Sequence, residues 1–374
     1  MRLLFVSCIV SGGSHRSQVE LARRLVERGH EVRFIVDDER PHRLSRWWYG
    51  NLSDAAARFA RVPGAGILRR LERLPGRRPD NRVFDGMPLA ATPVPENVVP
   101  RVLRTFEPDV VVGNSIERLA WRKIRALCSE QGIATVLYIR EVALLNHITE
   151  SQAPADAVVA NANSLALAVR AKGVECAMVP SVVDLSVTHT ESTRQVALVV
   201  NPIASHGIAL VWQIAALRPH IPIVVQESWP LGPSAIAEIE AELARHPNVS
   251  LRRVAPPGPT LYGDARLLLV PHLIDNRPRV IAEVQANGIP VIAALQPGLQ
   301  EAVGDGGVLV STDDVDGWCA AIDGLWADEA EYGRRSRLAR EHATRPELDP
   351  GLVVDAFEAV LQSAVDAPSQ RQLG

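Results

Sequence analysis

Residues 3–36 read LLFVSCIVSGGSHRSQVELARRLVERGHEVRFIV, and this stretch decides the fold class. Residues 3–10 are an apolar run of the kind that forms a parallel strand covered on both faces. The turn Ser11-Gly12-Gly13-Ser14 follows. Val19, Ala22, Leu25 and Val26 then share one helical face, with Glu20, Arg23, Arg24 and Glu27 mostly outside it. Gly29 stands where a helix should stop, and Val32 to Val36 supply the next strand. The same order returns later: a strand at 196–200, a loop at 201–207, a helix at 208–217 and a strand at 221–225. Two such openings in 374 residues imply two doubly wound α/β domains.

Between them, residues 184–195 (DLSVTHTESTRQ) are polar and lack apolar periodicity. They are read as the linker between domains at 1–186 and 187–350. Residues 351–374 are expected to form a helix that crosses back to the first domain, followed by a tail. Further strands are expected at 110–112, 135–138, 157–160, 249–252, 267–270, 290–293 and 308–310. Ligands in open parallel sheets bind beyond the carboxyl ends of the strands. The candidate loops are therefore 11–15, 140–147, 201–207, 226–231, 271–279 and 295–299.

Composition narrows the partners. Hydrophobic residues make up 47% and charged residues 22%, the balance of an ordinary soluble protein. A net charge of −3 gives no global footprint for nucleic acid. Lys123 and Lys172 are the only lysines, so anions must meet Arg, His or backbone N–H groups. Cys8, Cys128, Cys176 and Cys319 lie far apart with no zinc spacing, which points to reduced thiols in the cytoplasm. The opening apolar run is too short to span a membrane.

The stretch richest in chemistry is residues 269–291, LVPHLIDNRPRVIAEVQANGIPV. Pro278 fits the first turn of a helix that Gly288 ends. Asp275 then sits in the loop at the helix N-terminus and Glu283 more than a turn inside, a pair able to hold different hydroxyls of a sugar and a ribose. Arg277 and Arg279 add cations beside that N-terminus, suited to a diphosphate. Asp314-Val-Asp316 reads as helix capping rather than a metal site.

This segment resembles the E-x7-E region of the retaining family-4 glycosyltransferases, with Asp275 at the first Glu and Glu283 at the second. Ala286 to Val291, Pro297 to Glu301, Val303 to Val310 and Leu261-Tyr262 resemble the family's neighbouring motifs in order. In the first half, Gly12-Gly13 and Arg28 to Val32 resemble its glycine loop and R-G-H-E-V turn. Ala155 to Ser164 and Val182 to Asp184 resemble the end of its N-terminal domain. The resemblance implies the GT-B fold, two Rossmann-like domains facing across a cleft. It also implies a nucleotide-sugar donor, UDP- or GDP-linked, held mainly by the C-terminal half. The second acid would hold the ribose and the first the transferring sugar. The leaving phosphate would help deprotonate the acceptor on the same face, with retention and without a metal or other cofactor. Gly12, Gly13, Gly298, Leu299 and Arg253 are expected at the donor.

The chain departs from that family in places. Where relatives carry an Arg and a Lys for the diphosphate, it has Asn201 and His206. Arg277 and Arg279 are the expected substitutes, with Arg140 reaching from the other domain and His206 contacting phosphate when protonated. Pro278 replaces a Gly and has no N–H to offer. Arg140 stands near a position where relatives often have His, and Glu141 beside it is an alternative orienter of the acceptor. His15, Trp47 and Trp48 are acceptor candidates.

Residues 40–83, with Trp47-Trp48-Tyr49 and many arginines, match no pattern. They read either as a flap for an anionic membrane and a lipid-linked acceptor, or as a lid over a small soluble acceptor, the favoured expectation. A nucleotide-sugar epimerase and a donor-binding protein without catalysis are the competing functions.

Overall fold

The computed structural model describes residues 1–7, 12–37, 80–84, 86–92, 95–148, 154–254 and 259–367. Among these residues there are two sheets. The first contains β1 (Arg2–Ser7), β2 (Glu31–Asp37), β3 (Asp80–Phe84), β4 (Met87–Thr92), β5 (Val110–Asn114), β6 (Ala134–Ile139), β7 (Ala157–Ala160) and β8 (Ala177–Met178). Their order is β3-β4-β2-β1-β5-β6-β7-β8, parallel except where β3 runs against β4. The second contains β9 (Val196–Val200), β10 (Ile223–Gln226), β11 (Val249–Arg252), β12 (Ala265–Val270), β13 (Val291–Ala294) and β14 (Gly307–Val310). It is wholly parallel, in the order β11-β10-β9-β12-β13-β14. In both sheets the order reverses beside the opening strand, the arrangement that leaves a crevice at the carboxyl ends.

Alternation along β1 builds two cores. Leu3 and Phe5 face one cluster with Phe34, Val112 and Tyr138, while Leu4 and Val6 face another with Ile35, Leu103 and Trp121. The second cluster is covered by α2 (Pro95–Phe106) and α3 (Arg118–Glu130). The first is covered by α1 (Gly12–Glu27) and by the last helix, α11 (Pro350–Asp366).

That last helix starts at the far end of the second sheet's sequence yet packs on the first. Phe357 is fully buried, with its ring 6.4 Å from Phe5 and 5.8 Å from Tyr138. Its polar side is tied down as well, since His30 Nε2 lies 2.8 Å from Glu358. Between α1 and α11 in the chain lie α4 (Asn163–Arg170), α5 (Ile208–Leu217), α6 (Pro233–Leu243), α7 (Arg279–Ala286), α8 (Pro297–Val303), α9 (Val315–Ala327) and α10 (Glu329–Ala343).

Some boundaries differ from those expected. β1 is described to Ser7, and residues 8–11 lie outside the described set, Cys8 among them. Helix α1 already begins at Gly12, so both glycines are its first turn rather than a loop before it. Pro278 is the residue preceding α7, one position earlier than expected. Asp314 caps α9, accepting from the Gly317 N–H at 2.8 Å. Cys128, Cys176 and Cys319 are free and buried. Among the described residues no helix is long and apolar enough to cross a membrane.

Truncating Phe357 to Ala should cost about 3–5 kcal/mol through transfer and cavity terms. Urea unfolding of Phe357→Ala checks this; a loss under about 1 kcal/mol would mean that α11 merely rests on the sheet.

Candidate functional site

The start of α1 and the loops after β6, β9, β10 and β12 converge on one cavity of about 180 Å³. From the first half come Gly12, Gly13, Arg16, Ser17, Arg140, Glu141, Asn161 and Ser181. From the second come Asn201, His206, Trp229, Tyr262, His272 and the run from Asn276 to Arg279, with Glu283. The N-termini of α1 and α7 therefore border the same space, and both carry unpaired N–H groups and a partial positive charge.

Glu283 is the anchor. It is 1% exposed and is held by guanidiniums from both halves: Arg279 Nε at 2.7 Å and Arg16 Nη2 at 3.7 Å. The Tyr262 hydroxyl donates to its other oxygen. Burial alone would raise the Glu283 pKa, but the two arginines and the hydroxyl outweigh it and hold the carboxyl below its ordinary value. Arg279 also reaches the first half, with Nη2 3.2 Å from Glu20 and Nη1 3.3 Å from Ser17 Oγ. Burial disfavours its charge, yet Glu283 and Glu20 more than compensate and raise its pKa.

Gly12 and Gly13 make this approach possible. A Cβ on Gly12, whose φ is +81°, would sit 3.1 Å from the Trp229 ring. One on Gly13 would meet the Arg279 side chain at 3.5 Å. The glycines thus admit side chains of the other half, where the sequence suggested that they admit a ligand. The cavity is smaller than the ~300–1,000 Å³ usual for small-molecule sites. Trp229 and Arg279 are among the residues that line it.

Two histidines line the opposite wall. The rings of His206 and His272 stack at 4.0 Å, and Trp229 meets His206 edge-on. Burial pulls His206 below its ordinary pKa. Burial, with His206 adjacent, takes His272 down to about 3. His206 lines the cavity, and burial favours its neutral ring over the protonated form expected at a phosphate. Asn201, at φ +60°, turns its Oδ1 onto the Ser228 N–H and hydroxyl at 2.9 and 2.6 Å, which shapes the loop on which Trp229 stands.

Several expected site residues lie elsewhere. Asp275 does not line the cavity; its Oδ1 accepts the Gly298 N–H at 2.7 Å, at the start of α8. That unpaired helix donor is the nearest strong claim on so short a carboxylate. Gly298 is spent on this bond, and Leu299 is buried in the apolar core. Arg253 pairs with Glu227 at 2.8 Å and is more than half exposed, away from the cavity lining. Arg279 is neutralised by its two carboxylates and is not a free diphosphate cation. His15 is buried and borders a separate recess with Val19, Arg23 and Asp184. Trp47 and Trp48 lie outside the described residues, as does the stretch 40–83 except for its last four residues in β3.

Arg277, Arg140 and Glu141 do line the cavity. Arg277 bridges the halves, with Nη1 3.3 Å from the Asn161 carbonyl and Nη2 3.4 Å from Glu347. Burial raises the Glu141 pKa, against the pull of Arg140. Arg16, Trp229, Asn161 and His272 were not singled out from sequence. Arg16 was findable, since it lies one turn beyond Gly12 and Gly13 on the same helical face.

The "Glycosyl transferases group 1" family profile matches residues 229–328, which contain Trp229, His272 and the whole Asn276 to Glu283 wall. Over 81 residues, 21% of this chain and 17% of the relative, it is 47% identical to a D-inositol 3-phosphate glycosyltransferase of Mycobacterium marinum. Over 154 residues, 38% of this chain and 34% of the relative, it is 35% identical to the protein of that name from Mycolicibacterium paratuberculosis. The matched stretches thus span about a sixth to a third of those relatives' length. Two solved structures follow nearly the entire chain. A sucrose-phosphate synthase from Thermosynechococcus elongatus has a TM-score of 0.75 at 14% identity, covering 97% of this chain and 98% of its own. Anabaena HepE in complex with UDP-glucose has a TM-score of 0.72 at 15% identity, covering 97% and 100%. At such identities the likeness concerns the fold.

Two outcomes test this geometry. Arg279→Met strands two buried carboxylates and should cost about 3–5 kcal/mol in urea unfolding, as removing one partner of a buried ion pair does. For His272 the folded pKa is lowered, so the unfolded chain binds more protons between pH 3 and 6.5. Its contribution is complete above about pH 6.5 and falls by about 1.4 kcal/mol per pH unit below it. His272→Gln should flatten that slope when urea midpoints are compared at pH 7 and pH 5; equal slopes would show that His272 titrates normally. The chain has the GT-B fold, and residues 229–328 of its C-terminal half match the group 1 glycosyl transferase profile.

Proposed function

We propose that this protein transfers a sugar from a nucleotide-sugar donor to a small-molecule acceptor, with retention of configuration. The observation that carries this reading is Glu283, a carboxylate kept ionised at the floor of a cavity onto which two helix N-termini open. An ionised acid there can accept from a ribose hydroxyl, and the N-termini of α1 and α7 suit the diphosphate. The HepE complex with UDP-glucose, on the same fold, supports a nucleotide sugar as the donor class. The bond from the sugar's anomeric carbon to the diphosphate oxygen breaks, and a bond to the acceptor oxygen forms on the same face. The acceptor proton passes to the departing phosphate.

Donor binding requires the halves to separate enough for Arg279 and Trp229 to yield space, with Arg279 exchanging Glu283 for the incoming ligand. Charge on the phosphates is met by arginines and backbone N–H groups, so transfer should persist in EDTA.

A second reading has one observation in its favour. Asp275, the expected sugar-holding acid, serves the Gly298 N–H instead, which fits a protein that binds a nucleotide sugar without transferring it. A panel of UDP-, GDP- and dTDP-sugars separates the two. Transfer or hydrolysis releasing free nucleotide, together with a raised unfolding midpoint, is expected for the enzyme. A raised midpoint with no nucleotide released would establish the second reading, and no response to any donor would end both.

A further inference from the structure

Arg140 follows β6 and reaches the cavity from the first half. It is 4% exposed; the charge of the adjacent Glu141 acts on it, but among the described residues no carboxylate is hydrogen-bonded to its guanidinium. Its Nη1 donates to Ser181 Oγ at 2.8 Å, and its guanidinium lies 4.2 Å from the centre of the Tyr138 ring. These two contacts fix the plane of the group. Nε and Nη2 are buried and have no hydrogen-bond partner.

Those two nitrogens form one edge of the guanidinium, the edge that grips a phosphate or carboxylate through two parallel bonds. A guanidinium does not escape burial by losing its proton, so the unmet cost is that of a charge. The other cations around the cavity have partners: Arg279 has Glu283 and Glu20, Arg16 has Glu283, and Arg277 has Glu347. Arg140 alone of these four is left with an open edge.

We infer that Arg140 forms an anion subsite in the first-half wall of the cavity, taking a phosphate group through Nε and Nη2. Asn161, 4% exposed and with an unpaired Oδ1, stands in the same wall and offers an acceptor to a hydroxyl carried beside that phosphate. The subsite rests on the transfer reading for the ligand's source. The phosphate belongs either to the donor's diphosphate or to a phosphorylated acceptor.

The test is calorimetric titration of the full chain with inorganic pyrophosphate, with UDP, and with inorganic phosphate after saturation by UDP. Arg140→Gln should weaken pyrophosphate about tenfold or more, and Arg140→Lys, which keeps the charge without the fork, should fall between. A parallel loss for UDP assigns the subsite to the donor. Unchanged UDP affinity with weaker phosphate binding to the UDP-loaded protein assigns it to the acceptor. Without ligand, Arg140→Gln should unfold at the same or a higher temperature, because a buried unpaired charge has gone. A lower midpoint with anion affinities within twofold of the unsubstituted chain would overturn the proposal, as would absence of pyrophosphate binding in the unsubstituted chain. Pyrophosphate binding through Arg140 in a chain that turns over no nucleotide sugar would end the transfer reading and leave the subsite standing.

Discussion

A carboxylate withdrawn from water governs how the two halves meet. Glu283 is ionised and buried, a state that costs several kcal/mol unless its oxygens are met. Arg16 comes from the first half and Arg279 and Tyr262 from the second, while Arg279 is itself shared with Glu20 and Ser17. The network crosses the cleft in both directions. Its geometry demands close approach, and the absence of side chains on Gly12 and Gly13 permits it. The stacked pair His206–His272 then closes the far wall with neutral rings, so the positive charge of the cavity is concentrated on arginines.

Three other acids near the cleft are also committed to the protein's own donors. Asp275 serves Gly298, and Glu301 accepts from the Asn163 and Ser164 N–H groups at 2.7 and 2.6 Å, tying α8 of one half to the start of α4 in the other. Glu227 holds Arg253 and the Leu231 N–H. Carboxylates here act chiefly as joints.

The doubly wound halves were legible because parallel strands buried on both faces leave unbroken apolar runs, as at residues 3–7 and 196–200. The α5 helix at 208–217 was legible because its apolar run sits between a turn and a stop. Site residues were legible only as far as the loops that bear them. Arg140, Arg277 and Glu283 reach the cavity, but Asp275, in the loop of Arg277, turns away, since the choice depends on the Gly298 N–H arriving from 23 residues onward. Only half of the neutralisation of Arg279 is local: Glu283 stands four residues on in the same helix, but Glu20 is 259 positions distant and nothing local marks it as a partner. Trp229 escaped notice for the same reason, because its packing partner is a glycine in the other half. The pattern of Leu3 and Phe5 against Leu4 and Val6 is local physics; the pairing of charges across a cleft is not.

The return of α11 has a temporal side. A chain made from its N-terminus forms β1 to β8 long before Phe357 exists, and the face carrying Phe5, Phe34 and Tyr138 then has α1 over it but not α11. The second sheet, whose core draws on residues 196–325, can close first. The half that is translated first is thus the half completed last, and it holds a greasy flank open while the remainder is synthesised. The link between residues 350–366 and β1 makes completion of the first half wait for the helix that follows the second.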